Sequence, residues 1–185
     1  MPALLTSTAV VAIAEIGDKT QLLSLLLAAR YRRPVPIILA ILVATVANHA
    51  LAAWLGGHVA AAIDPQWLRW LLGGSFCAIA LWALWPDRHD GTLPLAAKLG
   101  VFATSLLAFF LAEMGDKTQV ATIALAARYA DFYAVLLGTT AGMMFANIPV
   151  VLLGERITRA CPMKLIRWLA AAMFAGVGIA AILYR

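Results

Sequence analysis

The stretch E-I-G-D-K-T-Q, from Glu15 to Gln21, recurs as E-M-G-D-K-T-Q from Glu113 to Gln119. Both copies lie in apolar surroundings, because 64% of the 185 residues are hydrophobic and only 12% are charged. A charged side chain at the centre of a bilayer costs at least about 2.5 to 3.5 kcal/mol, so it persists only under a strong functional demand. The paired motif therefore marks the predicted functional centre of a membrane protein.

Apolar runs of about 20 residues, the length that a helix needs to cross a bilayer, predict an all-α protein with six transmembrane helices. The runs lie near residues 3–29, 36–56, 67–86, 99–127, 133–154 and 165–184. They leave no room for a soluble domain of ordinary size. The first run is too long and too interrupted by charge for a cleavable signal peptide, so we expect it to remain in the mature protein.

The two halves of the chain are related by an internal duplication. Glu113 follows Glu15 by 98 residues, and the same offset relates other stretches without a gap. These are Thr6-Ser7 and Thr104-Ser105, Ala28 to Tyr31 and Ala126 to Tyr129, and Arg69 to Leu71 and Arg167 to Leu169. We predict a three-helix repeat over residues 1–87, a linker over 88–98 and a second repeat over 99–185. Because three is odd, the second repeat would enter the membrane from the opposite side, which makes the repeats inverted.

Basic residues are distributed unequally between the two predicted membrane sides. If the helices alternate, one side receives Arg30, Arg32, Arg33, Arg88, Lys98, Arg156, Arg159, Lys164 and Arg167, and the other receives Arg69, Arg128 and Arg185. The positive-inside rule makes the first side cytoplasmic and both termini periplasmic, as in a bacterial inner membrane. The net charge of +5 thus indicates topology rather than nucleic-acid binding. Cys77 and Cys161 predict no disulfide.

On a continuous helix, the charged residues of each motif copy share one face because they are three and four residues apart. The members of the two faces are Glu15, Asp18, Lys19 and Gln21, and Glu113, Asp116, Lys117 and Gln119. Brought together, four carboxylates and two ammonium groups have a net charge near −2, which one divalent cation would neutralise. The predicted metal ligands are therefore Glu15, Asp18, Glu113 and Asp116.

Oxygen ligands suit hard cations such as Ca²⁺ and Mn²⁺, and no cysteine or cluster of histidines near the motifs favours Zn²⁺ or Cu⁺. We expect the metal to be transported cargo, with no tightly bound cofactor. Lys19 and Lys117 are predicted to neutralise carboxylates until the metal displaces them. The alternative is a purely structural salt bridge between Glu and Lys within one helix, which apolar residues would replace at lower cost.

The remaining candidate residues support the site. Gly17 and Gly115 predict a kink, an unwound turn or close helix packing beside each charged cluster. The supporting polar residues are Thr20, Thr118, Asn48 and Asn147, and His49 occupies the position that matches Asn147. Ser24 and Thr122 also match, but small hydroxyls often bond only to their own helix.

The paired sequence of Glu, a hydrophobic residue, Gly, Asp, Lys and Thr resembles the signature of the GDT family of calcium/manganese:proton antiporters. That family includes a Golgi protein of animals and yeast and manganese exporters of bacteria, and the resemblance covers the whole chain. It implies metal binding by the acidic residues of both motifs and export coupled to protons. The chain lacks the N-terminal extension and the long acidic central loop of some members, which fits a compact protein of a bacterial inner membrane.

Other function classes are weaker. An exporter of small organic cations would also use carboxylates, but few aromatic residues lie near the motifs. In a membrane assembly factor that transports nothing, charge inside the membrane would be a liability. An enzyme is not expected, because the sequence shows neither a nucleophile with its base nor an open metal triad.

Overall fold

The structure is a computed structural model that describes residues 1–84, 100–154 and 163–183. These residues form eight α-helices and no strand. The helices are α1 (Pro2–Glu15), α2 (Lys19–Tyr31), α3 (Pro34–Ala62), α4 (Pro65–Ala83), α5 (Gly100–Glu113), α6 (Lys117–Tyr129), α7 (Phe132–Leu153) and α8 (Met163–Leu183). The predicted all-α class is confirmed, and the predicted linker over 88–98 lies outside the described residues.

Each copy of the motif breaks a helix. The first helix ends at Glu15 and the chain resumes helical structure at Lys19, with Gly17 between them at a φ of 80°. Asp18 then occupies the N-cap position of α2, and the second copy breaks in the same way with a φ of 74° at Gly115. The prediction of one continuous charged face is wrong, because glycine at positive φ and an aspartate cap both interrupt a helix. Of the alternatives for the glycines, the structure shows the unwound turn.

The helix order repeats between the two halves. Each of α1 to α4 begins 98 residues before its counterpart among α5 to α8. The packing repeats as well. In the first half, α1 and α2 both pack against α7, and in the second half their counterparts α5 and α6 both pack against α3. Each half therefore covers the broken helix of the other half with its own long helix, which brings the two motifs toward one another.

Large apolar side chains are exposed on the described surface, whereas the motif carboxylates lie in the interior. Large exposed side chains include Trp67, Tyr133 and Phe145, whereas Glu15 and Glu113 are fully buried. Both α3 and α7 are long and apolar enough to cross a membrane. This distribution reverses that of a water-soluble protein and is typical of a protein surrounded by lipid.

Close packing of α3 on α6 depends on a single glycine. A Cβ added to Gly56 would lie 2.3 Å from the carbonyl oxygen of Ile123 and 2.8 Å from the Cβ of Ala126. A Cβ added to the neighbouring Gly57 would meet nothing within 4 Å. The two adjacent glycines therefore differ in what they contribute to packing.

We expect Gly56→Ala to lower the free energy of unfolding by about 1 to 3 kcal/mol, because the added methyl group must push α3 away from α6. Gly57→Ala should have little effect or be slightly stabilising, since alanine is the better helix former. Thermal unfolding of both variants in the same detergent measures the difference. Equal melting temperatures for the two variants would contradict the close approach of α3 to α6 at Gly56.

Candidate functional site

The four motif carboxylates lie at helix ends inside the protein. Glu15 is the last residue of α1 and Glu113 the last residue of α5, while Asp18 and Asp116 are the N-caps of α2 and α6. All four residues are at most 1% exposed. A helix N-terminus presents unpaired N–H groups and a partial positive charge, which favour a carboxylate at the cap.

Two ion pairs join the motifs to one another, one of them buried and the other partly exposed at its lysine. Lys19 Nζ lies 2.7 Å from Asp116 Oδ1, and Lys117 Nζ lies 2.7 Å from Asp18 Oδ1. Both pairs are crossed, because the lysine that begins one half-helix contacts the aspartate that caps the other. We call them the crossed ion pairs. They differ from the Glu–Lys pair within one helix that the sequence left as an alternative.

The two glutamates have different surroundings. Glu113 Oε2 accepts a hydrogen bond of 3.0 Å from the hydroxyl of Thr118, and Glu15 Oε1 accepts one of 3.5 Å from the amide of Asn147. The second oxygen of each glutamate is buried and has no hydrogen-bond partner among the described residues. Buried carboxylate oxygens that lack donors are open to a proton or a cation.

Asn147 connects Glu15 to α2. Its Oδ1 accepts a hydrogen bond of 2.6 Å from the hydroxyl of Ser24. The expectation that small hydroxyls bond to their own helix is therefore wrong for Ser24, because the packing of α7 on α2 supplies a better acceptor. It holds for Thr122, whose hydroxyl donates to the carbonyl oxygen of Thr118 at 2.8 Å. In the sequence, these two positions were distinguished by matched hydroxyl residues in the two halves.

Gln21 and Gln119 stabilise the breaks. Gln21 Oε1 accepts a hydrogen bond of 2.8 Å from the backbone N–H of Gly17, and Gln119 Oε1 accepts one of 2.7 Å from that of Gly115. A side chain in the first turn that reaches back to the backbone before the helix acts like half of a capping box. Gln21 also donates to the carbonyl oxygen of Ala146 at 3.0 Å, which ties α2 to α7.

Three other predicted residues lie deep in the protein but do not touch the carboxylates in the contacts observed. Asn48 donates to the carbonyl oxygen of Phe110 at 3.1 Å and so joins α3 to α5. Thr20 is buried and its hydroxyl has no hydrogen-bond partner among the described residues. His49 is fully buried, and within the same ranges neither ring nitrogen has a partner.

Within the described residues, the motif aspartates are paired with lysines and not gathered with other acidic side chains into a metal-binding group. Across residues 1–84, 100–154 and 163–183, no three side chains of Asp, Glu, His or Cys form a group that could hold a metal ion. The aspartates contact lysines instead. A cation that entered this region would compete with the ammonium groups for the aspartates.

The chain matches a family model described as divalent cation/proton antiporter GDT1 over residues 3–91 and 101–185. A protein of Vibrio cholerae serotype O1 named "Putative manganese exporter" is 54% identical over 175 residues, which are 94% of this chain and 87% of that protein. "GDT1-like protein 2, chloroplastic" of Oryza sativa subsp. japonica is 26% identical over 195 residues, which are 88% of this chain and 55% of that one. No solved structure is significantly similar to the chain.

We expect Asp116→Asn to destabilise the protein by up to about 3 kcal/mol, because it leaves the ammonium group of Lys19 without its carboxylate. The full cost of breaking a buried pair does not apply, since the Lys19 side chain is 22% exposed. The double variant Lys19→Met/Asp116→Asn should recover most of the loss. Thermal unfolding of the two single variants and the double variant measures the coupling, and additive losses would contradict a direct pair.

Proposed function

Because the chain belongs to the GDT1 family of divalent cation/proton antiporters, we propose that it exports Mn²⁺ from the cytoplasm in exchange for protons, with Ca²⁺ as a second cargo. Membership of a transporter family is established by a match that covers both halves of the chain. The choice of Mn²⁺ is supported by the printed name of the Vibrio cholerae relative and by oxygen-rich ligands that suit hard cations.

The observation that carries this proposal is that the crossed ion pairs occur in the same motifs as two buried glutamates. The lysines balance the charge of Asp18 and Asp116, so the charge of the site depends on whether Glu15 and Glu113 are protonated. An unpaired carboxylate cannot remain charged in an apolar interior without compensation. Either protons or a divalent cation can supply that compensation, which is the requirement for exchange.

In the proposed cycle, the metal binds Glu15, Asp18, Glu113 and Asp116 after drawing the aspartates away from the lysines. Thr118, which donates to Glu113, and Asn147, which donates to Glu15, orient the glutamates for either occupant. The released lysines remain close enough to the site to replace the metal when it leaves. The ammonium groups thus keep the empty site closed without a bound cation.

Alternating access is proposed to come from two inverted repeats, residues 1–87 and 99–185. In this arrangement, α1 with α2 and α5 with α6 each make one broken crossing, and α3, α4, α7 and α8 complete six crossings. Broken helices whose ends meet near the membrane midplane are typical of transporters built in this way. The excess of basic residues on the opposite side supports the proposal that both termini lie in the periplasm of a bacterial inner membrane.

An organic cation is a weaker candidate for cargo. Cavities of about 410 and 780 Å³ are present, and neither is lined by a motif carboxylate. The carboxylates are instead packed against lysine, threonine and asparagine side chains. A bare metal ion fits such surroundings with less rearrangement than a substituted ammonium ion.

Asp18→Asn and Asp116→Asn are each expected to reduce Mn²⁺ transport by at least about a hundredfold, because each removes a charged ligand and releases a lysine into the site. Asp131→Asn is the matched control, since Asp131 caps α7 through a hydrogen bond from Ala134 N at the exposed surface and asparagine caps equally well. Flux into proteoliposomes with an internal Mn²⁺ indicator measures the effect. Normal flux in either motif variant would remove that aspartate from the site.

Proton exchange is tested with wild-type proteoliposomes that contain a pH indicator. Mn²⁺ moving into the vesicles should drive protons out, and an imposed proton gradient should accelerate Mn²⁺ movement in the opposite direction, because both occupants need the same carboxylates. Asp18→Asn proteoliposomes control for proton leakage. Mn²⁺ flux that leaves the pH signal unchanged and ignores the gradient would identify a uniporter.

A further inference from the structure

A cavity of about 780 Å³ lies away from the motifs, between α4, α6 and α8. Arg69 and Leu72 of α4, Arg128 and Tyr129 of α6, and Ala181 of α8 line it. One wall therefore comes from the first half of the chain and the opposite wall from the second half. The cavity is large enough for a phosphate group with part of its ester.

Neither arginine of this cavity forms an ion pair within the described chain. The two ion pairs of the described residues both lie in the motifs, so neither Arg69 nor Arg128 has a carboxylate partner there. Arg69 Nε is buried and has no hydrogen-bond acceptor among the same residues. A buried donor without an acceptor costs roughly 1 to 3 kcal/mol, so an acceptor that enters the cavity is favoured.

The aromatic residues beside the cavity are of the kind that is typical at the level of the lipid headgroups. The exposed side chains of Trp67 and Trp70 lie in the first turns of α4, and the guanidinium of Arg69 lies 5.8 Å from the ring centre of Trp70. Arg128, in the last turn of α6, lies 5.7 Å from the ring centre of Tyr129. Tryptophan and tyrosine concentrate at membrane interfaces, where lipid phosphates are found.

The internal repeat retains these arginines in both halves. Arg128 matches Arg30, and Arg69 matches Arg167, whereas Arg32 and Arg33 are replaced in the second half by Ala130 and Asp131. The replaced pair follows the positive-inside rule. In the predicted topology Arg69 and Arg128 do not follow it, because they fall on the side with few basic residues, so the rule does not account for their presence.

We propose that this cavity binds the headgroup of an anionic phospholipid, with the phosphodiester accepting hydrogen bonds from Arg69 and Arg128. Guanidinium groups match phosphate oxygens in geometry and charge, and the acyl chains would extend along the apolar outer surface of α4. A lipid held in this way connects α4 of the first half to α6 of the second half. Binding itself does not depend on the proposed transport activity.

The test compares the thermal stability of the purified protein in vesicles of phosphatidylglycerol and of phosphatidylcholine. Phosphatidylglycerol should raise the melting temperature, and titration of phosphatidylglycerol into phosphatidylcholine vesicles should give its apparent affinity. Arg69→Gln and Arg128→Gln should each weaken that affinity by about fivefold, the amount expected for one arginine near an anionic headgroup. Arg128→Gln, at the end of α6, keeps the test usable if Arg69→Gln fails to fold.

Arg33→Gln is the matched control, because it removes an exposed arginine that does not line the cavity. Its affinity for phosphatidylglycerol should equal that of the wild type, and an equal loss would show general surface attraction and overturn the proposal. Inorganic phosphate added to phosphatidylcholine vesicles should not raise the melting temperature. If it does so as strongly as phosphatidylglycerol, the cavity binds a soluble anion and the lipid assignment is wrong.

Discussion

The crossed ion pairs are the interaction on which the rest of the structure depends. Asp18, Asp116 and Lys117 are buried and Lys19 is only partly exposed, so each charge is compensated by its partner from the other motif. This pairing holds the two broken helices end to end. The long helices α3 and α7 each pack against the broken helix of the opposite half, and large apolar side chains are exposed on the outside.

The helix breaks make these pairs geometrically possible. In a continuous helix, the carboxylates and the lysine of one motif would lie beside each other, and pairing within the motif would compete with pairing across it. The unwound turn instead makes the aspartate an N-cap and the lysine the first helical residue, so both point from the end of the half-helix toward the other motif. The side-chain oxygen of each glutamine accepts a hydrogen bond from the glycine N–H, which reduces the free-energy cost of the break.

The two halves are similar without being equivalent. Glu113 is contacted by a threonine of its own motif, whereas Glu15 is contacted by Asn147 from the opposite half. The position that matches Asn147 holds His49, which is buried and makes no hydrogen bond within the described ranges. Two glutamates with different donors need not bind protons and metal equally. Under the proposed exchange, this difference would make the two glutamates bind their occupants unequally, which a perfect repeat would not.

Residue types and their spacing, by themselves, determined the helical class, the duplication at an offset of 98 residues, the family and the residues of the motif, because these depend only on composition and order along the chain. The tertiary structure decided that each motif breaks its helix, that lysines pair across the motifs, and that Ser24 and Gln21 contact α7. A glycine tolerates a continuous helix or an unwound turn, and local sequence does not choose between them. In the structure both helices are broken, and each motif pairs its charges with partners about 98 residues away.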